Sequence, residues 1–133
     1  MRKLISAIAL SALALTASTA VAQQSRAEKG EARLAKMLEG RTAGEPVNCI
    51  STMRSDGLEV IDHTAVVYDA GNTIYVARPS HPNSLGAWDT LVIKRTNGSQ
   101  LCTNDILYTV DQGTGFRTGA VFLDEFVPYT KEG

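Results

Sequence analysis

Cys49 and Cys102 are the only cysteines in a chain of 133 residues, and they bracket most of its strand-like sequence. Both follow an amino-terminal stretch laid out as an export signal. Arg2 and Lys3 form a charged start, residues 4–15 an apolar run, and residues 16–22 a small-residue region ending in Ala20-Val21-Ala22, the pattern a signal peptidase reads. The apolar run is shorter than the roughly 20 residues of a spanning helix. Residues 1–22 therefore read as a cleavable signal peptide, with no stable membrane insertion after its removal. The mature chain is expected to be periplasmic or secreted, where disulfides form and persist.

A small domain buries a modest share of its surface, so its stability margin is thin. A bridge between Cys49 and Cys102 would contribute roughly 4 kcal/mol on the chain-entropy model. The rival arrangement is two separate buried thiols or one reactive thiol. A metal centre is not expected, because two cysteines with no ligand-like spacing to His63 or His81 form no closed set. No cofactor motif is present either; the Gly113-Thr114-Gly115 turn is too short and isolated to cradle a phosphate.

Beyond the leader, Ser25 and Glu28 match a capping box at the head of a stretch rich in helix formers. Ala27, Leu34, Ala35 and Leu38 fall near one face of that helix, and Gly40 sits where a left-handed C-cap is expected. The thin apolar stripe places the helix on the domain surface. Residues 41–46 read as a loop broken by Gly44 and Pro46, so residues 23–46 make a helix and linker.

From residue 47 to 131 the sequence becomes short runs of Val, Ile, Thr and Tyr separated by turn residues. Strands are expected at residues 47–53, 58–61, 64–68, 73–77, 90–95, 100–103, 106–110 and 120–127. Asp69-Ala70-Gly71-Asn72 is a tight-turn signal between two of them. Asn97-Gly98 is the dipeptide favoured by two-residue hairpins, and it explains the glycosylation-like Asn97-Gly98-Ser99. Pro79 and Pro82 keep residues 78–84 out of any central strand. The pattern predicts a mainly β fold, a small antiparallel β-barrel or sandwich preceded by one helix.

With 13 basic and 14 acidic residues, and with Arg2 and Lys3 lost with the leader, the domain is mildly acidic. No basic stripe exists to displace counterions from a phosphate backbone, so nucleic acid is not an expected partner. His63 reads as an exposed turn residue beside Asp62. Arg78, His81 and Trp88 form the candidate binding cluster, because the segment joining them is the longest loop and loops on rigid scaffolds carry function. The bland alternative for that cluster is a solvated loop with Trp88 in the core. Asp124 and Glu125 are adjacent in a strand, point to opposite faces, and so make a poor acid/base pair. Tyr68, Tyr75, Tyr108, Phe116, Phe122 and Phe126 are expected in or near the core.

Asn48-Cys49-Ile50, Ile61-Asp62-His63-Thr64 before Val66-Val67-Tyr68, and Asn72-Thr73-Ile74-Tyr75-Val76 resemble a family of small exported proteobacterial proteins of unknown function. Asp89-Thr90-Leu91-Val92-Ile93 and Gln100-Leu101-Cys102 with Asp105 add to the likeness, which spans residues 47–127. The resemblance implies a periplasmic β-rich domain and carries over no catalytic residues. Relatives often have further cysteines near the position of His81 and around residues 115–117. This chain lacks them, and a family pattern pairing each retained cysteine with a lost one would leave Cys49 and Cys102 unpaired.

The functional expectation is a non-catalytic periplasmic binding or interaction module whose partner is an envelope protein or small ligand. The alternative is a small hydrolase or lyase using Arg78 and His81.

Overall fold

The computed structural model describes residues 20–53, 57–86, 88–95 and 98–132. The expected signal peptide lies outside these residues apart from Ala20, Val21 and Ala22. Those three open helix α1 (Ala20–Met37), so the helix begins before Ser25, the expected cap position. Alanines and glutamines are strong helix formers, and they carry the helix past the expected start. Its end is as expected: Gly40 takes φ 71°, a conformation open to glycine because it lacks a Cβ.

Among the described residues ten strands follow: β1 (Arg41–Ala43), β2 (Cys49–Ser51), β3 (Leu58–Ile61), β4 (Ala65–Asp69), β5 (Thr73–Pro79), β6 (Asp89–Lys94), β7 (Gln100–Cys102), β8 (Ile106–Asp111), β9 (Arg117–Val121) and β10 (Leu123–Lys131). All pairs are antiparallel. They form a five-stranded sheet β1-β10-β5-β4-β3, a pair β2-β7 and a three-stranded sheet β6-β8-β9. The fold is mainly β, and the sheets do not close into a barrel.

The large sheet is covered on both faces, and strand alternation divides its side chains between two cores. Val66 and Tyr68 of β4, Ala77 of β5 and Phe126 of β10 pack with Ile50, Leu101, Leu107 and Val121 of the smaller sheets. Ala65 and Val67 of β4, with Ile74 and Val76 of β5, pack against Leu34 of α1. The helix buries Gly30 and Leu34 and leaves Ala27 and Ala35 exposed. Gly30 permits the close approach, since a Cβ there would collide with Thr64 Oγ1 and stand 2.8 Å from the Asp62 carbonyl oxygen.

Several expectations change. Residues 41–43 are a strand, because Arg41, Thr42 and Ala43 find partners in Lys131, Thr130 and Tyr129 before Gly44 and Pro46 intervene. Pro79 ends β5, the middle strand of the large sheet; it faces only Leu123 of β10, beyond the reach of β4. Residues 120–127 are not one strand. The chain turns at Phe122, so β9 pairs with β8 and β10 pairs with β5, a corner where a strand changes sheets. β6 and β7 do not form a hairpin, since β6 pairs with β8 and β7 with β2. Asn97 itself lies outside the described residues.

The cysteines are paired. Cys49 and Cys102 are direct cross-strand partners, with sulfurs 2.09 Å apart and Cα atoms 4.0 Å apart. The neighbouring Ile50 and Leu101 are 3 % and 0 % exposed, so alternation turns the disulfide to the outer side of the pair. Thr103 N donates to the Asn48 carbonyl at 2.9 Å, while Cys102 N donates to the Asp105 carboxylate at 2.8 Å. The Cys102 amide thus points away from β2, which marks a non-hydrogen-bonded pair, the position where opposed side chains lie closest.

Candidate functional site

The three-stranded sheet has one covered face and one bare one. Leu91 and Ile93 of β6, Leu107 of β8 and Val121 of β9 pack into the core. Alternation then sends Thr90, Val92 and Lys94, Ile106, Tyr108 and Val110, and Ala120 to the other side. Val92 faces Tyr108, and Tyr108 faces Ala120, making an apolar row across all three strands. Val92 is 42 % and Ile106 40 % exposed. The Arg117 guanidinium lies 4.2 Å from the centroid of the Tyr108 ring, a cation–π contact. With Lys94, the face carries two cations and no carboxylate at these positions.

Exposed aromatics flank this sheet. Trp88, 83 % exposed, immediately precedes β6; Phe116, 75 % exposed, precedes β9; Phe122, 56 % exposed, follows it. Phe116 is presented by an ordered turn. Asp111 Oδ1 accepts from Thr114 N at 2.8 Å, Thr114 Oγ1 at 3.1 Å and Gly113 N at 2.9 Å. The backbone and side-chain donors of Thr114, then the Gly113 amide, hold the Asp111 carboxyl below the ordinary range, because hydrogen bonds to a carboxylate favour its charged form. Gly115 completes the turn at φ 73°, and Asp111 N donates to the Phe116 carbonyl at 3.0 Å.

Each member of the predicted cluster has its own surroundings. Arg78 shares the face of Val76, so its guanidinium turns to α1, pairs with the Glu31 carboxylate and donates to it a bond of 3.1 Å. That bond to Arg78 lowers the Glu31 pKa against a smaller opposing effect of burial, and it raises that of Arg78. His81 is exposed and heads the 3-10 turn Pro82–Ser84; its carbonyl accepts from Ser84 N at 3.0 Å and Ser84 Oγ at 2.6 Å. Trp88 stands in solvent and not in the core. Phe116 and Phe122 likewise depart from the expected core placement, because each sits at a strand end.

His63 is half-buried, its Nδ1 2.6 Å from Asp62 Oδ1. At φ 53° it is the one described non-glycine residue with positive φ, in the turn where Thr64 N donates to the Ile61 carbonyl at 3.0 Å. An open depression of about 550 Å³ is lined by Pro46, Arg78, Thr103, Leu123, Asp124, Glu125 and Val127. Asp124 and Glu125 both border it, against the opposite-face expectation, because a register shift between Leu123 and Phe126 interrupts the alternation.

Sequence reasoning missed the bare sheet face. Its one signal is the run Leu91-Val92-Ile93, apolar on both faces as in a strand covered on both sides, in a strand that is covered on only one. Among the described residues, no group of three or more His, Cys, Asp or Glu stands ready to hold a metal ion, and no helix is long and apolar enough to cross a membrane. Comparison with protein-family models, curated proteins and solved structures finds no match.

Proposed function

We propose that the mature chain is a non-catalytic interaction module of the periplasm or extracellular space, allied to the small exported proteins it resembles. In this reading the large sheet and the smaller sheets face each other as a sandwich and present one binding surface. The observation that carries the reading is the bare outer face of β6-β8-β9, with Trp88 and Phe116 beside it. Interface centres favour aromatic residues and arginine and are poor in carboxylates; Trp88, Tyr108, Phe116 and Arg117 fit that composition. An envelope protein is the favoured partner class. The disulfide and the leader-like start support the compartment.

The test is crosslinking in the native envelope, followed by partner identification, for the wild type and a Trp88→Ser/Phe116→Ser variant. A partner captured by the wild type and lost with the variant supports the proposal. Equal capture by both, or no partner with either, refutes it. The intact mass of the exported protein checks the compartment: loss of residues 1–22 and of two hydrogens is expected.

A further inference from the structure

We propose that β6 is the pairing edge of a symmetric dimer, in which the β6 strand of a second copy lies antiparallel to it and joins the two three-stranded sheets into one of six strands. The inference goes beyond the binding role above and does not depend on it. A strand edge offers a row of backbone donors and acceptors to any strand that can reach it, and folded proteins blunt their edges with short strands, bulges, proline or charge.

The other edges are blunted. β1, β2 and β7 have three residues each. β3 has four, and its Glu59 is held by Arg33 of α1. β9 contains Gly119 and a register shift against β8. β6 alone is long and regular: six residues, Asp89-Thr90-Leu91-Val92-Ile93-Lys94, without glycine or proline. Each pairs with β8 in unbroken register, and among the described residues no strand pairs with its other edge.

Symmetry then fixes the register. Two copies that keep their cores on the same side of a shared sheet are related by a twofold axis normal to it, and such an interface is isologous. Opposed residues must therefore come from the same face. Centring the axis on Val92 sets Val92 against Val92 of the second copy, Leu91 against Ile93, Thr90 against Lys94, and Asp89 against Arg95. The last is an opposite-charge pair made twice, and opposite charges across strands stabilise pairing where like charges oppose it. Centring on Leu91 would set the Asp89 carboxylate against Ile93. The Val92 register also extends the exposed row into a continuous band, Tyr108 and Val92 of one copy meeting Val92 and Tyr108 of the other.

The experiment is sedimentation equilibrium of the mature, disulfide-bonded protein over a dilution series, with emission from Trp88, the single tryptophan, read in parallel. The expected result is a mass of two chains that falls to one on dilution, with a matching change in emission. Asp89→Arg and Arg95→Asp, each placing like charges in opposition, should raise the dissociation constant by about tenfold or more, roughly 1.4 kcal/mol. The double swap Asp89→Arg/Arg95→Asp should restore it. Circular dichroism establishes that each variant remains folded; Val92→Asp, at an exposed site, supplies a second disruption if either swap does not. A wild type monomeric at every concentration overturns the proposal. So does a dimer indifferent to the single variants, and failure of the double swap to restore pairing overturns the Val92 register.

Discussion

The five-stranded and three-stranded sheets are built from similar sequence and treated differently by the fold. In β4, Ala65, Val66, Val67 and Tyr68 are all buried, because α1 covers one face and the smaller sheets cover the other. In β6, Leu91, Val92 and Ile93 are as apolar, yet Val92 remains 42 % exposed. What separates the two is the third layer. Among the described residues the single helix is spent on one sheet, and the other keeps an exposed apolar face.

The largest expected effect bears on the β2-β7 pair, whose three-residue strands are too short to hold by backbone bonds alone. Replacing Cys49 and Cys102 by serine should cost roughly 4 kcal/mol, given the separation of 53 residues, read as a shift in the urea midpoint. A loss near zero would mean that packing of Ile50 and Leu101 alone holds the pair. Next, valine to threonine at two sites tests the comparison directly. Val67→Thr puts a hydroxyl into a wholly buried position and should cost about 1–3 kcal/mol, whereas Val92→Thr should change stability by no more than about 0.5 kcal/mol. Similar values at both sites would erase the distinction between the sheets.

Gly30→Ala addresses the helix layer. In an open helix this change gains up to about 1 kcal/mol. Here the new methyl meets Thr64 and the Asp62 carbonyl, and the overpacking should produce a net loss of about 1–3 kcal/mol. A stabilised variant in urea melts would show α1 to be loosely laid on the sheet. The smallest effect is electrostatic. Arg78 depresses the Glu31 pKa in the folded state, so the pair contributes above the unfolded glutamate value, about 4.3, and that contribution is lost as pH falls through the lower folded value. Because both side chains are about half exposed, the contribution is discounted to about 0.2–1 kcal/mol. Glu31→Gln should remove that part of the acid dependence while leaving the rest of the pH profile unchanged.

Local chemistry was legible in the chain. The period-two runs marked most strands, Gly40 marked the end of α1, and Asp69-Ala70-Gly71-Asn72 marked the β4-β5 turn, where Asp69 Oδ1 accepts from Gly71 N at 2.8 Å. Each depends on residues adjacent along the chain. The candidate site was scarcely legible: Trp88 was named, but its exposure was not, and Arg78 was drawn away by Glu31, a residue 47 positions earlier. The sequence by itself determined a β-rich domain with one helix and left open whether its two cysteines would meet, which the pairing of β2 with β7 decided. Only the tertiary structure decided that β6 turns to β8, that the chain changes sheets at Phe122, and which apolar face the single helix covers. Strand pairing and layer coverage are settled by competition between segments distant in sequence, so the apolar pattern of β6 alone could not tell that one of its faces would be left bare.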